Sequence, residues 1–92
     1  MRLERSDHAV SDLRAISEYI EQDHNLETAN RVTRIIYDAV RSLRAQPYQG
    51  RSGRLENTRE LIVPRIPYIV IYRVSQGRVM ILNVLQGAQR WP

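Results

Sequence analysis

Apolar residues recur first at helical spacing along this chain of 92 residues. A short strand is predicted over Arg2 to Arg5, after which Ser6 or Asp7 can cap a helix. A break at His24-Asn25 separates two apolar runs, and Pro47 blocks the second one from continuing. Because the link is so short, the runs predict an antiparallel helical hairpin. The first run comprises Ala9, Val10, Leu13, Ile16 and Ile20, and the second Ala29, Val32, Ile36, Ala39, Val40 and Leu43.

The pattern changes to strand spacing after a polar loop at 47–58 that contains two glycines. Three segments rich in Val, Ile and Tyr follow, and short turns join them, which predicts a three-stranded antiparallel meander. We therefore expect a single α+β domain over residues 1–92, with a strand, a helical hairpin and a meander. The three predicted strands are Arg59 to Val63, Tyr68 to Val74 and Arg78 to Leu85.

Both faces of the predicted meander carry apolar side chains. A sheet that helices cover on one face only should alternate apolar and polar residues. The face opposite the hairpin is therefore either a surface for a partner or is covered by the first strand, the loop and the tail. On the hairpin side we place Tyr68, Val70, Tyr72, Val74, Val79, Ile81 and Leu85. On the opposite face we place Ile69, Ile71, Met80, Leu82 and Val84.

Composition narrows the chemistry that the chain can perform. The chain has no cysteine and only two histidines, at opposite ends of the first predicted helix, so a metal site or a nucleophilic triad has little support. All fourteen basic residues are arginine, which excludes a lysine base. No apolar run is long enough for a membrane span or a signal core, and we expect a soluble, cytoplasmic protein that needs no cofactor.

Charge is spread unevenly between the two halves. Residues 1–46 carry seven arginines against eight acidic residues, a net charge of −1, whereas residues 47–92 carry seven against two, a net charge of +5. The second half should therefore face an anion, either a nucleic acid or an acidic protein. Arg51, Arg54 and Arg59 can converge on phosphate or carboxylate oxygens, or can simply be solvated or paired with Glu56 or Glu60.

Aromatic residues accompany this charge. Tyr48 flanks the loop, and Trp91 closes the tail beside Arg90, so contact with nucleic-acid bases is possible. Core packing explains Tyr68 and Tyr72 more economically.

The order of five sequence blocks resembles the RelE/ParE superfamily of toxins from bacterial type II toxin–antitoxin systems. The resemblance extends over essentially the whole chain, and the strand, hairpin and meander that it implies agree with the periodicity. The blocks are Asp12 to Ile20, Gly50-Arg51, Thr58 to Val63, Pro67 to Val74 and Val84 to Pro92.

The departures from that superfamily favour its ParE branch. Relatives that cleave mRNA on the ribosome typically carry an arginine where this chain has Ile69, and relatives of either branch often carry a histidine where it has Gln86. The mRNA-cleaving relatives also place a tyrosine near the C-terminus, and here no tyrosine follows Tyr72. Glutamine cannot take a proton at neutral pH, and a guanidinium stays protonated. The resemblance is therefore closer to the ParE branch, whose members poison DNA gyrase by binding.

The resemblance implies partners and site residues, with no catalytic residue and no metal. A cognate ParD-like antitoxin with an acidic tail would bind the toxin in a hetero-oligomeric complex. Two alternatives stay open, a RelE-like ribosome-dependent mRNA endonuclease and a non-toxic module retained for operon regulation. The candidate target-binding residues are Arg51, Arg54, Arg59, Arg73, Gln86, Arg90 and Trp91. The candidate antitoxin-binding residues are Ile69, Ile71, Met80 and Leu82.

Overall fold

Two helices cover one face of a single five-stranded sheet, which confirms the predicted α+β class. The computed structural model of the chain describes residues 1–87. Between those limits, neither helix has the length and apolar character that crossing a membrane requires. The elements are β1 (Arg2–Arg5), α1 (Asp7–Asp23), α2 (Leu26–Ser42), β2 (Arg51–Ser52), β3 (Arg59–Ile62), β4 (Tyr68–Ser75) and β5 (Arg78–Gln86).

Side-chain caps define where each helix begins. Ser6 is extended, and its hydroxyl oxygen accepts a hydrogen bond of 3.0 Å from the Ala9 amide at the start of α1. Asn25 does the same for α2, accepting a bond of 2.7 Å from the Thr28 amide. Because only two residues separate the helices, α1 and α2 form the predicted hairpin. The second helix ends at Ser42, several residues before the proline.

The sheet contains the predicted antiparallel meander and two further strands at its edges. The strand order is β1-β5-β4-β3-β2. β1 pairs in parallel with β5, and β2 is a two-residue strand that pairs with the start of β3. The loop 47–58 was predicted to be irregular, and β2 is a short exception within it. The five-stranded sheet presents one face to the helices, and the core lies between them.

A β-bulge interrupts the pairing of β4 with β5, and it reverses the faces of the residues that follow. Leu82 is the extra residue in this bulge. As a result Val84 is buried against the helices, whereas Leu85 is half-buried on the opposite face. The sequence-based assignment of these two residues to faces was wrong, because it assumed uninterrupted alternation. The register on either side of the bulge is Tyr72↔Ile81 and Ile71↔Asn83.

An acidic side chain of α1 fastens the helix to β5 beyond this bulge. The Asp12 carboxylate oxygen Oδ2 accepts a hydrogen bond of 2.9 Å from the Val84 amide and one of 3.2 Å from the Asn83 carboxamide. β1 pairs with β5 only as far as Ile81, so the carboxylate takes the place of a neighbouring strand here.

The sheet face opposite the helices is only partly covered. β1 extends the edge of the sheet and does not fold over this face, which removes one of the coverings considered above. Ile62 is 55% exposed on it, whereas Ile71 near its centre is 1% exposed. The tail, residues 88–92, lies outside the described residues. The face is therefore uneven, with a buried centre and an apolar rim.

Candidate functional site

The arginines of the loop differ in what they bind. Pairing of β2 with β3 places Arg51 opposite Glu60. The Glu60 side chain is 4% exposed, and its Oε1 accepts bonds from Arg51 Nε at 3.1 Å and Nη2 at 2.9 Å. Its Oε2 accepts a bond of 3.3 Å from the Arg54 amide. Because a buried charge is costly without partners, Arg51 has a structural role in this cluster.

Arg59 fastens the preceding turn to the start of β3. Its Nη1 donates to the carbonyl oxygens of Gly50 at 2.8 Å and of Tyr48 at 3.3 Å. The guanidinium carbon also lies 4.9 Å from the centroid of the Tyr48 ring, within the range of a cation–π contact. Arg59 therefore positions Tyr48, whose side chain is 61% exposed.

Tyr72 supports the same turn from the core. The buried Gly50 amide donates a hydrogen bond of 2.9 Å to the Tyr72 hydroxyl. A Cβ atom at Gly50 would lie 2.7 Å from that hydroxyl, so the approach requires glycine. Burial raises the pKa of the Tyr72 phenol, and the Gly50 amide and the nearby Arg59 charge lower it to a lesser extent. Tyr72 is therefore neutral at physiological pH and serves as an acceptor.

A groove opens at the end of the sheet where β4 extends beyond the start of β3. It brings together two of the predicted target-binding residues, Arg59 and Arg73. Arg73 is exposed, and its side chain makes no hydrogen bond or ion pair within residues 1–87. The groove thus combines guanidinium groups with an exposed aromatic ring. Other lining residues are Tyr48, Ser52, Leu55, Glu56 and Ser75.

The structure separates Gln86 from these arginines. Gln86 pairs with Tyr68 at one end of β4, whereas Arg73 lies five residues further along that strand. At about 3.3 Å per residue, the two ends are roughly 17 Å apart. Arg90 and Trp91 follow Gln86 in the sequence but lie outside the described residues. The candidate target-binding residues within 1–87 therefore divide between two ends of the sheet.

The candidate antitoxin-binding residues share the face opposite the helices. Ile69, Met80 and Leu82 are half-buried there, whereas Ile71 is 1% exposed and unavailable as a surface contact. Ile62 pairs with Ile69 on this face and is well exposed. Sequence analysis missed Ile62, although its position next to inward-facing Leu61 is the signal that could have identified it.

Groups suited to proton transfer are sparse in this region. His8 and His24 lie at opposite ends of α1, as expected from the sequence. Burial, with a smaller contribution from Tyr19, raises the pKa of Tyr68. No three His, Asp or Glu side chains within residues 1–87 are arranged to hold a metal ion. In the groove, Arg59 and Arg73 can donate hydrogen bonds, and the Tyr48 ring can stack on a flat group.

Comparison with known proteins gives three consistent results. A family model described as "ParE toxin of type II toxin-antitoxin system, parDE" matches residues 3–91. The protein "Putative toxin Y4kP" of Sinorhizobium fredii is 44% identical over 84 residues, which are 91% of this chain and 85% of that protein. A solved structure, the chromosomal ParDE TA system from P. aeruginosa, matches with a TM-score of 0.87 at 26% identity, covering 94% of this chain and 95% of that one. The chain therefore belongs to the ParE toxin family of type II toxin–antitoxin systems.

Proposed function

We propose that this chain is a toxin that inhibits DNA gyrase by binding it, so that cleaved DNA persists. The observation that carries the proposal is the chemistry of the groove at Arg59, Arg73 and Tyr48. Two guanidinium groups and an exposed ring are suited to holding a partner, and the lining residues within 1–87 include no matched acid and base. Membership of the ParE family supports the same interpretation.

Cleavage of RNA would require the groove to supply a general base and a general acid. An enzyme must activate the 2′-hydroxyl and protonate the leaving oxygen, and each such step contributes about 10²–10⁴-fold in rate. Within residues 1–87, Glu56 is the only carboxylate that lines the groove, and no histidine accompanies it. Arginine stays protonated, and Tyr72 is buried with a raised pKa. These facts favour binding over catalysis.

We further propose that a ParD-like antitoxin with an acidic tail neutralises the toxin in a hetero-oligomeric complex. A toxin of this family implies an antitoxin partner. The rim of Ile62, Ile69, Met80 and Leu82 offers an apolar surface for it. Since gyrase acts on the chromosome of a bacterium, the complex would form in the cytoplasm.

Induction of the toxin alone in cells tests the proposed target. We expect growth arrest with broken chromosomal DNA and with intact mRNA. Primer extension on translated mRNA serves as the counter-test, because codon-positioned cuts would contradict the gyrase proposal and identify a ribosome-dependent nuclease. Normal growth during induction would contradict toxicity itself and would leave a regulatory module.

A further inference from the structure

Several arginines form a track along α2 that continues onto β1. Arg34 and Arg41 are seven residues apart and share one face of α2. Arg44 follows in the next turn, where its amide donates 3.1 Å to the Arg41 carbonyl. Two adjoining grooves contain these side chains, and the grooves meet at Arg41. The α2 track, as we call it, comprises Arg2, Arg5, Arg34, Arg41 and Arg44.

Most hydrogen-bond donors of the α2 track are free. All five arginines are exposed. The side chains of Arg2, Arg34 and Arg44 make no hydrogen bond or ion pair within residues 1–87. Arg5 donates one hydrogen bond, from Nη1 to the Tyr37 hydroxyl at 3.2 Å. Since a guanidinium carries five N–H donors, the track presents many donors to solvent and attracts anionic groups.

Acidic side chains do little to balance this charge. No lining residue of the two grooves within the described chain carries a carboxylate. Asp38 pairs with Arg41, so five arginines and one carboxylate leave a net charge of +4. Glu27 lies seven residues before Arg34 on the same helix face, which ends the positive track on that side.

The surface around the track is poorly suited to the centre of a protein interface, which is normally apolar and depleted in charge. Leu3 is half-buried and Val40 is 3% exposed. Met1 is the one well-exposed large apolar side chain among the lining residues of the described chain. The half-buried Tyr37 ring lies 5.7 Å from the Arg5 guanidinium carbon, so it is not available to stack on an unpaired base. These features favour a phosphate backbone in a duplex.

The length of the track fits one strand of a duplex. Ten residues separate Arg34 from Arg44, which corresponds to about 15 Å along a helix at 1.5 Å per residue. Each strand of B-form DNA presents one phosphate per 3.4 Å of helix axis, so this length spans about four phosphates. We propose that the α2 track binds the phosphate backbone of double-stranded DNA without reading its sequence. The toxin then contacts DNA directly, in addition to the protein target proposed above.

Fluorescence anisotropy with the full chain and a labelled duplex of arbitrary sequence, about two helical turns long, tests this proposal. We expect saturable binding with a Kd of about 1–100 μM at physiological salt, the range of non-specific DNA binding. Four phosphate contacts predict that log K falls with log salt concentration at a slope of about −3.6. Absence of binding at low salt, or a slope near zero, would contradict the proposal.

Two double variants identify the surface. Arg34→Gln combined with Arg44→Gln removes two arginines that have no partner among the described residues, so the fold should persist. The slope should become shallower by about 1.8, and affinity at 0.1 M salt should fall about ten- to sixty-fold. Arg14→Gln combined with Arg31→Gln makes the same change in net charge at exposed helix positions outside both linings, and should leave the slope unchanged. Equal losses in the two double variants would contradict a specific track.

Three competitors exclude other ligands. Tighter binding of single-stranded DNA than of the duplex would overturn the proposal, and so would tighter binding of a polyglutamate peptide of equal charge, which would identify an acidic protein partner. Much tighter binding of duplex DNA from upstream of the toxin gene than of the arbitrary duplex would contradict recognition of the backbone alone. None of these measurements uses gyrase, so their outcome is separate from that of the function proposed above.

Discussion

Arg51 and Glu60 face each other across β2 and β3, and two guanidinium nitrogens of Arg51 donate to one oxygen of the buried carboxylate. The pair joins the two-residue strand β2 to the sheet and fixes the loop that carries Arg54. Arg51, which the sequence predicts to be a target-binding residue, therefore also stabilises the fold. A mutation of Arg51 can therefore reduce toxicity either by destabilising the fold or by removing a contact to the target.

Arg51→Gln should destabilise the fold by about 1–3 kcal/mol, because the buried Glu60 carboxylate would lose its charged partner. Arg73→Gln is the matched control, since Arg73 is exposed and has no side-chain partner among the described residues. Its free energy of unfolding should change by less than about 0.5 kcal/mol. Denaturant unfolding of both variants makes the comparison, and equal stability would contradict the structural role of Arg51.

Toxicity should respond differently to the same two arginines. Arg73→Gln should reduce growth arrest while the protein stays folded, because the groove loses a free guanidinium. Growth curves after induction, at matched protein levels, provide the measurement. Full toxicity in this variant would remove Arg73 from the proposed gyrase-binding surface.

Tyr72→Phe should destabilise the protein by about 1–3 kcal/mol, because the buried Gly50 amide would lose its acceptor. Tyr37→Phe removes the same hydroxyl from a contact with exposed Arg5 and should cost less than about 0.5 kcal/mol. Thermal unfolding compares the two variants, and hydrogen exchange at Gly50 reports the local effect. An unchanged exchange rate in Tyr72→Phe would rule out this anchoring of the turn.

Stability should fall at alkaline pH. Burial raises the pKa of Tyr72 and of Tyr68, while tyrosines of the unfolded chain ionise near pH 10. The unfolded state therefore loses protons first, and the contribution that is present below about pH 10 is lost as the pH rises through the folded pKa values. The chain has no lysine, so lysine side chains do not contribute to this pH dependence. Denaturant unfolding at stepped pH should show this decline, and a flat profile would contradict it.

Two isoleucines on the face opposite the helices should separate folding from antitoxin binding. Ile71→Asp should prevent stable folding, since it places a charge at a position that is 1% exposed. Ile62→Asp changes a residue that is 55% exposed, so the fold should persist while antitoxin binding weakens. Circular dichroism and a pull-down with the antitoxin measure both effects. Ser75→Asp, exposed at the far end of β4, is the control.

Periodicity predicted most of the fold because helices and strands bury one face at a fixed spacing. The bulge at Leu82 escaped prediction, since a change of register depends on pairing between strands and not on local sequence. β2 escaped for a related reason: two residues, Arg51–Ser52, are too few to show alternation. Prediction from the sequence was therefore most reliable where one element alone decides the pattern.

The distribution of charge in space could not be predicted from counts along the chain. Residues 1–46 have a net charge of −1, yet this half supplies four arginines that line a groove between β1 and the C-terminal end of α2, namely Arg2, Arg5, Arg41 and Arg44. Arg5 and Arg41 are brought together only because β1 joins the edge of the sheet that α2 covers. The separation of Gln86 from Arg73 likewise follows from strand pairing. Gln86 on β5 lies opposite Tyr68 at the start of β4, whereas Arg73 lies near the end of β4.

The most direct measurement is a cleavage assay with purified gyrase, supercoiled plasmid and an excess of this toxin. If the chain poisons gyrase by binding, linear plasmid should accumulate after denaturation of the enzyme, and Arg73→Gln should reduce the amount. Addition of the cognate antitoxin before the toxin should prevent it. A plasmid that stays supercoiled, or is supercoiled by gyrase at the normal rate, in the presence of excess folded toxin would contradict the account.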